Sequence, residues 1–214
     1  MKLVLHNYWR SSASHRVRIG LGLKGLAYDY VLIDISRGAQ FAEAYRARNP
    51  LAQVPTLEIT EDDGAVRALT QSLPILEYLE DRFPEPAIFP RDAYLRGRAR
   101  MLAEIVNAGI QPFQNLSTAR RIKELGGDPA VWVKPFLAEG LAAFARAVAA
   151  TAGRFCVGDD PSIADCCLVP QLAAARRFEV PIEHADLLAI EQRCLALPAF
   201  AAAAPDRQPD AVQQ

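Results

Sequence analysis

Hydrophobic and polar positions change their spacing along the chain, and this change divides it into two parts. Before about residue 84, short apolar runs typical of strands are interleaved with segments whose apolar residues recur at helical spacing. The predicted order is strand, helix, strand, short helix, strand, strand, helix, over residues 3–8, 14–24, 28–35, 39–48, 56–60, 66–70 and 73–82. Gly25 suits the position just after a helix end, and Asp63-Gly64 suits the hairpin turn between the last two strands.

This order predicts a thioredoxin-like α/β domain over residues 1–83, with helices covering a mixed four-stranded sheet. Three prolines (Pro84, Pro86 and Pro90) then indicate an extended linker over residues 84–91.

Beyond the linker, every long periodic segment has helical spacing. Helices are predicted over residues 94–117, 128–150, 162–178 and 185–195. The first should bend near Pro112, because proline has no amide donor. The proline- and glutamine-rich tail, residues 205–214, is expected to fray. Residues 92–214 are therefore predicted to form an all-α domain.

Composition and charge exclude several classes of function. The formal net charge of −1 lacks the basic surplus that a nucleic acid or an anionic membrane surface usually requires. The first five residues do not form a secretory signal, and no run approaches the roughly 20 apolar residues of a membrane span. We expect a cytoplasmic protein.

The cysteines predict neither a metal site nor a disulfide framework. None of the four forms a C-x-x-C pair, and the neighbours Cys166 and Cys167 lie in an apolar run. Buried, inert thiols are the favoured interpretation.

The sharpest chemical signal lies between the first strand and the first helix. Residues 8–16 contain three serines (Ser11, Ser12 and Ser14) flanked by Arg10 and Arg16. Hydroxyls and unpaired amides at a helix N-terminus can stabilise an anion, including a thiolate. Serines at such positions are also ordinary helix caps, and spacing alone favours that alternative.

Residues 9–19, W-R-S-S-A-S-H-R-V-R-I, resemble the S-S-x-S-x-R-V-R-I signature of zeta-class glutathione transferases. Further segments follow the same class in the same order: residues 49–57, 71–72, 111–117, 158–165 and 168–171. The resemblance spans essentially the whole chain. It implies the glutathione transferase fold, a homodimer, and glutathione as the cofactor.

The resemblance also implies a reaction, the cis–trans isomerisation of a small acidic substrate. The expected reaction converts maleylacetoacetate to fumarylacetoacetate. Alternatives are maleylpyruvate isomerisation, general conjugation or α-halo acid dehalogenation, and a glutathione-binding scaffold without turnover. Retention of the serines, of Gln71-Ser72 and of the arginines argues against the scaffold.

Site residues carry over from the family position by position. The catalytic group is Ser11, Ser12, Arg10 and Arg177. The glutathione-binding group is Ser11, Ser12, Ser14, His15, Arg16, Gln40, Val54, Pro55, Gln71, Ser72, Gln111, Asn115 and Ser117.

Several of these residues have a structural alternative. Val54-Pro55 matches the family's cis-proline, although a trans proline opening a strand fits the residues equally well. Gln71-Ser72 should hold the γ-glutamyl end or simply cap a helix. Arg177 should face the acidic substrate or only favour the negative end of its helix.

The remaining positions of interest have mainly structural interpretations. Ser162 to Asp165 form a capping box, to which we assign no chemistry. Ala13 stands where many family members have cysteine, which excludes a protein thiol at that position. His15 is expected to be an exposed helix histidine rather than a titrating assistant.

Overall fold

A four-stranded mixed sheet forms the centre of the first structural unit. The computed structural model describes residues 1–211. The strands are β1 Lys2–Asn7, β2 Asp29–Leu32, β3 Thr56–Thr60 and β4 Val66–Thr70, in the order β2-β1-β3-β4. β1 pairs with β2 in parallel and with β3 antiparallel, and β3 pairs with β4 antiparallel. The bounds of β3 and β4 are those predicted from the apolar pattern.

Three helices follow the strands of this unit: α1 Ser12–Leu23, α2 Glu43–Arg46 and α3 Ser72–Arg82. A 3-10 turn, Ala39–Phe41, precedes α2, so the predicted short helix is split in two. Val17, Ile19 and Leu21 of α1 are completely buried, as are Ile75 and Leu76 of α3. The arrangement confirms the predicted thioredoxin-like domain.

The second unit, residues 88–196, is helical. Its helices are α4 Ala93–Asn107, α5 Leu116–Glu124, α6 Pro129–Val148, α7 Ile163–Arg177 and α8 Ala185–Leu195. Within residues 88–196 the only extended pairing is an isolated bridge between Ala152 and Gly158. α7 is central to this unit and is buried along most of its length. The all-α prediction is confirmed here.

The single helix predicted over residues 94–117 is wrong. α4 ends at Asn107, a 3-10 turn spans Gln111–Gln114, and a separate helix starts at Leu116 and continues to Glu124. Pro112 has no amide to continue the ladder, and a proline disfavours helical backbone in the residue before it. The chain therefore breaks where only a bend was expected.

The starts of α6 and α7 are capped as the sequence predicts. Asp128 accepts the amide of Ala130 at 2.7 Å, and Pro129 occupies the first turn of α6. Ser162 and Asp165 form a complete capping box at α7. Asp165 is fully buried, and it also accepts the amide of Cys156 at 2.9 Å.

The four cysteines are buried thiols, as predicted, and no disulfide joins them. Burial raises the pKa of the Cys156, Cys166 and Cys194 thiols. These thiols are therefore protonated and unreactive at neutral pH.

The C-terminal segment corrects the predicted extent of the second domain. Residues 197–211 belong to the first unit, together with residues 1–87. Helix α9, Pro198–Ala203, packs against α1, where a Cβ on Gly22 would lie 3.1 Å from the Cβ of Ala199. Apolar residues of α1 are thus covered on a second side, as its several apolar stripes indicated.

The expected fraying of the tail is wrong for residues 205–211. Pro205–Arg207 form a 3-10 turn, and Gln208 is buried. Residues 212–214 lie outside the described range. Every helix within residues 1–211 is too short or too polar to cross a lipid bilayer.

Candidate functional site

Three segments predicted to bind a ligand meet at one end of the sheet. His6 of β1 pairs with Thr56 of β3, and Thr56 pairs with Thr70 of β4. The end of β1, the start of β3 and the end of β4 are therefore neighbours. The chain leaves or enters the sheet at these three points, through residues 8–12, 54–55 and 71–72.

Ser11 caps helix α1. Its Oγ accepts the amide of Ser14 at 3.2 Å, and its own amide donates to the carbonyl of Tyr8 at 3.1 Å. The capping alternative is thus realised. It does not exclude a ligand role, because a hydroxyl that accepts one bond still has a hydrogen to donate. Ser12, the first helical residue, is buried.

His15 contradicts the expectation of an exposed helix histidine, because only 3% of its surface is accessible. Burial, with the charge of Arg18 as a second cause, lowers the pKa of His15 to about 3. The imidazole is therefore neutral at physiological pH and does not act as a titrating assistant. Within residues 1–211, neither His15 Nε2 nor Ser14 Oγ has a hydrogen-bond partner.

Arg16 links the starts of two helices. Its Nη1 donates to Ser72 Oγ at 3.1 Å, between the first turn of α1 and the first residue of α3. Arg16 and Ser14 have no accessible surface. The structure therefore corrects the expectation that these two side chains face a ligand directly. The Arg16 side chain holds Ser72 in place, and the backbone amide of Ser14 holds Ser11.

The Val54-Pro55 bond is cis, which confirms the prediction from the resemblance. Two side chains that the sequence reasoning missed hold the loop before it. Tyr45 donates from its hydroxyl to the carbonyl of Gln53 at 2.6 Å, and Asn49 Nδ2 donates to the same carbonyl at 2.7 Å. The only sequence signal for these residues was an aromatic residue and an amide beside a proline loop.

Gln71 has a backbone φ of 69°, a conformation that residues other than glycine rarely adopt. It occupies the N-cap position of α3, but its side chain makes no capping bond. Such backbone strain is found most often at ligand sites. Ser72 does not cap the helix as the alternative proposed, since its hydroxyl accepts from Arg16. Gln40, also in this unit, is buried.

Each unit carries an exposed arginine beside an aromatic ring. The guanidinium carbon of Arg10 lies 5.5 Å from the centre of the Trp9 ring. In the second unit, the guanidinium carbon of Arg177 lies 4.9 Å from the centre of the Phe178 ring. Its neighbour Arg176 instead makes two bonds to Glu191, of 2.6 and 2.5 Å. Both arginines are exposed, and Arg176 is the one that binds Glu191.

The polar residues predicted in the second unit fall on the break between α4 and α5. Gln111 lies in the 3-10 turn, Asn115 occupies the N-cap position of α5, and Ser117 is exposed in the first turn of that helix. Gln171, fully buried on α7, donates to Gln114 Oε1 at 3.1 Å. This bond ties the turn to the central helix of the unit.

The chain has relatives of known function over nearly its whole length. Residues 10–82 match the family model of the glutathione S-transferase N-terminal domain. The chain is 42% identical to a maleylacetoacetate isomerase of Rattus norvegicus, over 98% of this chain and 95% of the relative. It is 41% identical to a maleylpyruvate isomerase of Ralstonia sp, over 96% of this chain and 98% of the relative. It also resembles a crystal structure of maleylacetoacetate isomerase from Anaeromyxobacter dehalogenans 2CP-1 with bound glutathione in the active site. That structure has a TM-score of 0.91 and 51% identity, with 99% of this chain and 98% of the other covered.

Proposed function

Since this chain belongs to the maleylacetoacetate isomerase family, the zeta class of glutathione S-transferases, we propose that it uses glutathione to isomerise maleylacetoacetate to fumarylacetoacetate. The observation that carries the proposal is the meeting, at one end of the sheet, of the Ser11 cap, the cis Val54-Pro55 bond and Gln71-Ser72.

These residues suit a tripeptide that carries carboxylates and a thiol. Amides at the start of α3 and the side chain of Gln71 offer donors to the γ-glutamyl end. The backbone of Val54, beside the cis bond, is available to pair with the cysteinyl unit. Bound glutathione would supply a thiolate that adds reversibly to the conjugated double bond, so that this bond can turn.

The chain's own contribution is to stabilise that thiolate and to orient it. Ser11 would donate its hydroxyl hydrogen to the sulfur, and the positive end of the α1 dipole would favour a negative charge there. The backbone amide of Ser14 would act indirectly through Ser11, and the Arg16 side chain through Ser72. A stabilised, fixed thiolate lowers the barrier because its charge and position are set before reaction.

Arginines would recognise the acid. Arg10 and Arg177 are exposed, and each has an aromatic ring that limits its side-chain freedom. A guanidinium binds a carboxylate through charge-assisted bonds, which also stabilise negative charge developing on a conjugated carbonyl. Gln40, Gln111, Asn115 and Ser117 remain proposed glutathione contacts on the basis of the resemblance.

The proposal is tested by assaying the purified protein on maleylacetoacetate with and without glutathione. We expect turnover only in the presence of glutathione, with no net consumption of the thiol. Glutathione consumed in step with substrate would indicate conjugation instead. Complete inactivity on both maleyl acids would contradict the proposal.

A second candidate is maleylpyruvate isomerisation, favoured by the 41% identity to the enzyme of Ralstonia sp. The chemistry is the same on a shorter acid, so both assays belong in one experiment. The acid with the higher kcat/KM is the better substrate, and a ratio above about tenfold in favour of maleylpyruvate would reverse the assignment.

A further inference from the structure

The C-terminal segment is bonded to the loop that precedes Ser11. Asp210 Oδ2 accepts the amide of Trp9 at 3.1 Å, across 201 positions of sequence. The other oxygen of the same carboxylate accepts the hydroxyl of Tyr30 on β2. Trp9 stands two residues before Ser11, so this bond acts on the backbone that delivers the serine to the start of α1.

The segment that carries Asp210 is itself fixed. Gln208 is buried, and its Nε2 donates to the carbonyls of Ala202 and Ala204 at 2.9 and 2.8 Å. The amide of Ala211 donates to the carbonyl of Gln208 at 3.0 Å. We call residues 205–211 the C-terminal strap. Because the strap is held against the end of α9, Asp210 is presented in a defined position.

A buried arginine holds the same loop from its other side. Arg18 donates to the carbonyl of Trp9 at 3.0 Å and to that of Ala203 at 3.1 Å. Burial lowers the pKa of Arg18 to about 10, which still leaves it charged at neutral pH. The peptide groups of Trp9 are therefore fixed by Asp210 at the amide and by Arg18 at the carbonyl.

We propose that Asp210 is a positioning residue for the thiol site. The strap, through Asp210, holds the Trp9 backbone so that the Ser11 hydroxyl and the α1 amides point at the glutathione sulfur. The effect on the glutathione thiol rests on the proposed function, whereas the hydrogen bonds between the strap and Trp9 do not depend on it. The alternative is that Asp210 only stabilises the fold, and the two roles affect different measurements.

The test compares Asp210→Ala and Asp210→Asn with Asp206→Ala, which removes an exposed carboxylate from the same strap. Isomerase turnover is measured, and the pKa of bound glutathione is read from its thiolate absorbance across pH. For Asp210→Ala we expect kcat to fall about three- to thirtyfold and the thiol pKa to rise by about half a unit to one unit. Asp210→Asn retains one acceptor oxygen, so its kcat and thiol pKa should lie between those of Asp210→Ala and of the unsubstituted protein. Asp206→Ala should change neither kcat nor the thiol pKa.

Hydrogen exchange at the Trp9 amide supplies a readout independent of activity. Exchange should be faster in Asp210→Ala than in Asp206→Ala, measured well below the unfolding temperature. An unchanged thiol pKa and unchanged kcat, with only a lower Tm, would overturn the positioning role. If the unsubstituted protein neither ionises glutathione nor turns over a maleyl acid, the proposed function fails. In that case the exchange rates of the Trp9 amide alone decide whether the strap fixes the loop. Equal rates in Asp210→Ala and Asp206→Ala would overturn the positioning role.

Discussion

At the scale of single residues, the Ser11 hydroxyl is available for two tasks. Its oxygen completes the first turn of α1 by accepting the amide of Ser14, and its hydrogen remains to be donated. The structure thus makes capping and thiolate binding compatible. Loss of the side chain should consequently affect both stability and turnover, and the two effects need separate controls.

Ser11→Ala should lower kcat by roughly ten- to a thousandfold, because one charge-assisted bond to the sulfur is lost. The Kd of glutathione should change less, since most of its contacts are elsewhere. Steady-state kinetics and calorimetric binding measure the two. Asp128→Ala removes a comparable cap from α6 and should reduce stability alone. Full activity in Ser11→Ala together with its loss in Ser12→Ala would show that the primary serine was wrongly assigned.

Arg177→Ala should raise KM or lower kcat for a maleyl acid, because a carboxylate then loses its cation. Activity on a neutral chloronitrobenzene, and glutathione binding, should remain nearly intact. Arg176→Ala is the matched control, since it removes a guanidinium paired with Glu191 and should mainly reduce stability. Equal loss on acidic and neutral substrates would mean that Arg177 only supports the fold.

His15 should make the protein less stable as the solution becomes acidic. The unfolded chain binds a proton near the ordinary histidine pKa of 6.5, whereas the folded chain does so only near a pKa of about 3. The contribution is therefore fully present above pH about 6.5 and is lost as pH falls toward about 3. Urea unfolding should show that the free energy of unfolding is about 2 kcal/mol lower at pH 5 because of His15. His15→Asn should remove that part of the dependence of stability on pH. The contribution of His6 should remain, because burial also lowers the pKa of His6. An unchanged slope would contradict this assignment.

At the scale of elements, the contact between α1 and α9 explains why the chain returns to its first unit. The two helices approach closely at Gly22, where a side chain would meet the backbone and Cβ of Ala199 at 3.1–3.4 Å. Backbone cannot move aside as a flexible side chain can. The small residues on both helices, glycine on one and alanine on the other, therefore set the distance at which α9 covers α1.

Gly22→Leu should destabilise the first unit by about 1–3 kcal/mol, because the added side chain overpacks this contact. Gly97→Ala in α4 is the control, since nothing lies within 4 Å of the added Cβ. It should be neutral or stabilising by about 0.5–1 kcal/mol, through better helix propensity. Thermal unfolding of both variants measures the difference. Similar Tm values would argue against a tight contact at Gly22.

At the scale of the whole molecule, the first unit exposes apolar side chains that suit an interface. Leu51 is 65% exposed although its loop is held by Tyr45 and Asn49, and Val66 is 61% exposed. Exposed apolar side chains are candidates for a protein contact when they belong to a contiguous patch. The resemblance to zeta-class glutathione transferases implies a homodimer, which sedimentation at micromolar concentration should show. Leu51→Glu should shift it toward monomer, and a monomeric unsubstituted protein would refute the expectation.

Local patterns were sufficient for most elements, because a helix or strand is decided largely by residues within a few positions. The bounds of β3 and β4 follow from alternation and from the Asp63-Gly64 turn, and α7 begins at its own capping box. The helix predicted across Pro112 failed, because periodicity shows where apolar residues recur but not whether the backbone continues between them.

The motifs predicted which residues belong to the site, since their order along the chain matches one family. Only the tertiary structure decided which contacts the residues in and around this site make and which of them are buried. Ser72 accepts from Arg16, 56 positions away, and Trp9 donates to Asp210, 201 positions away. His15, expected at the surface, is buried. Such pairings depend on how helices and strands pack rather than on local spacing. Burial, with the charge of Arg18 as a second cause, keeps the His15 imidazole neutral.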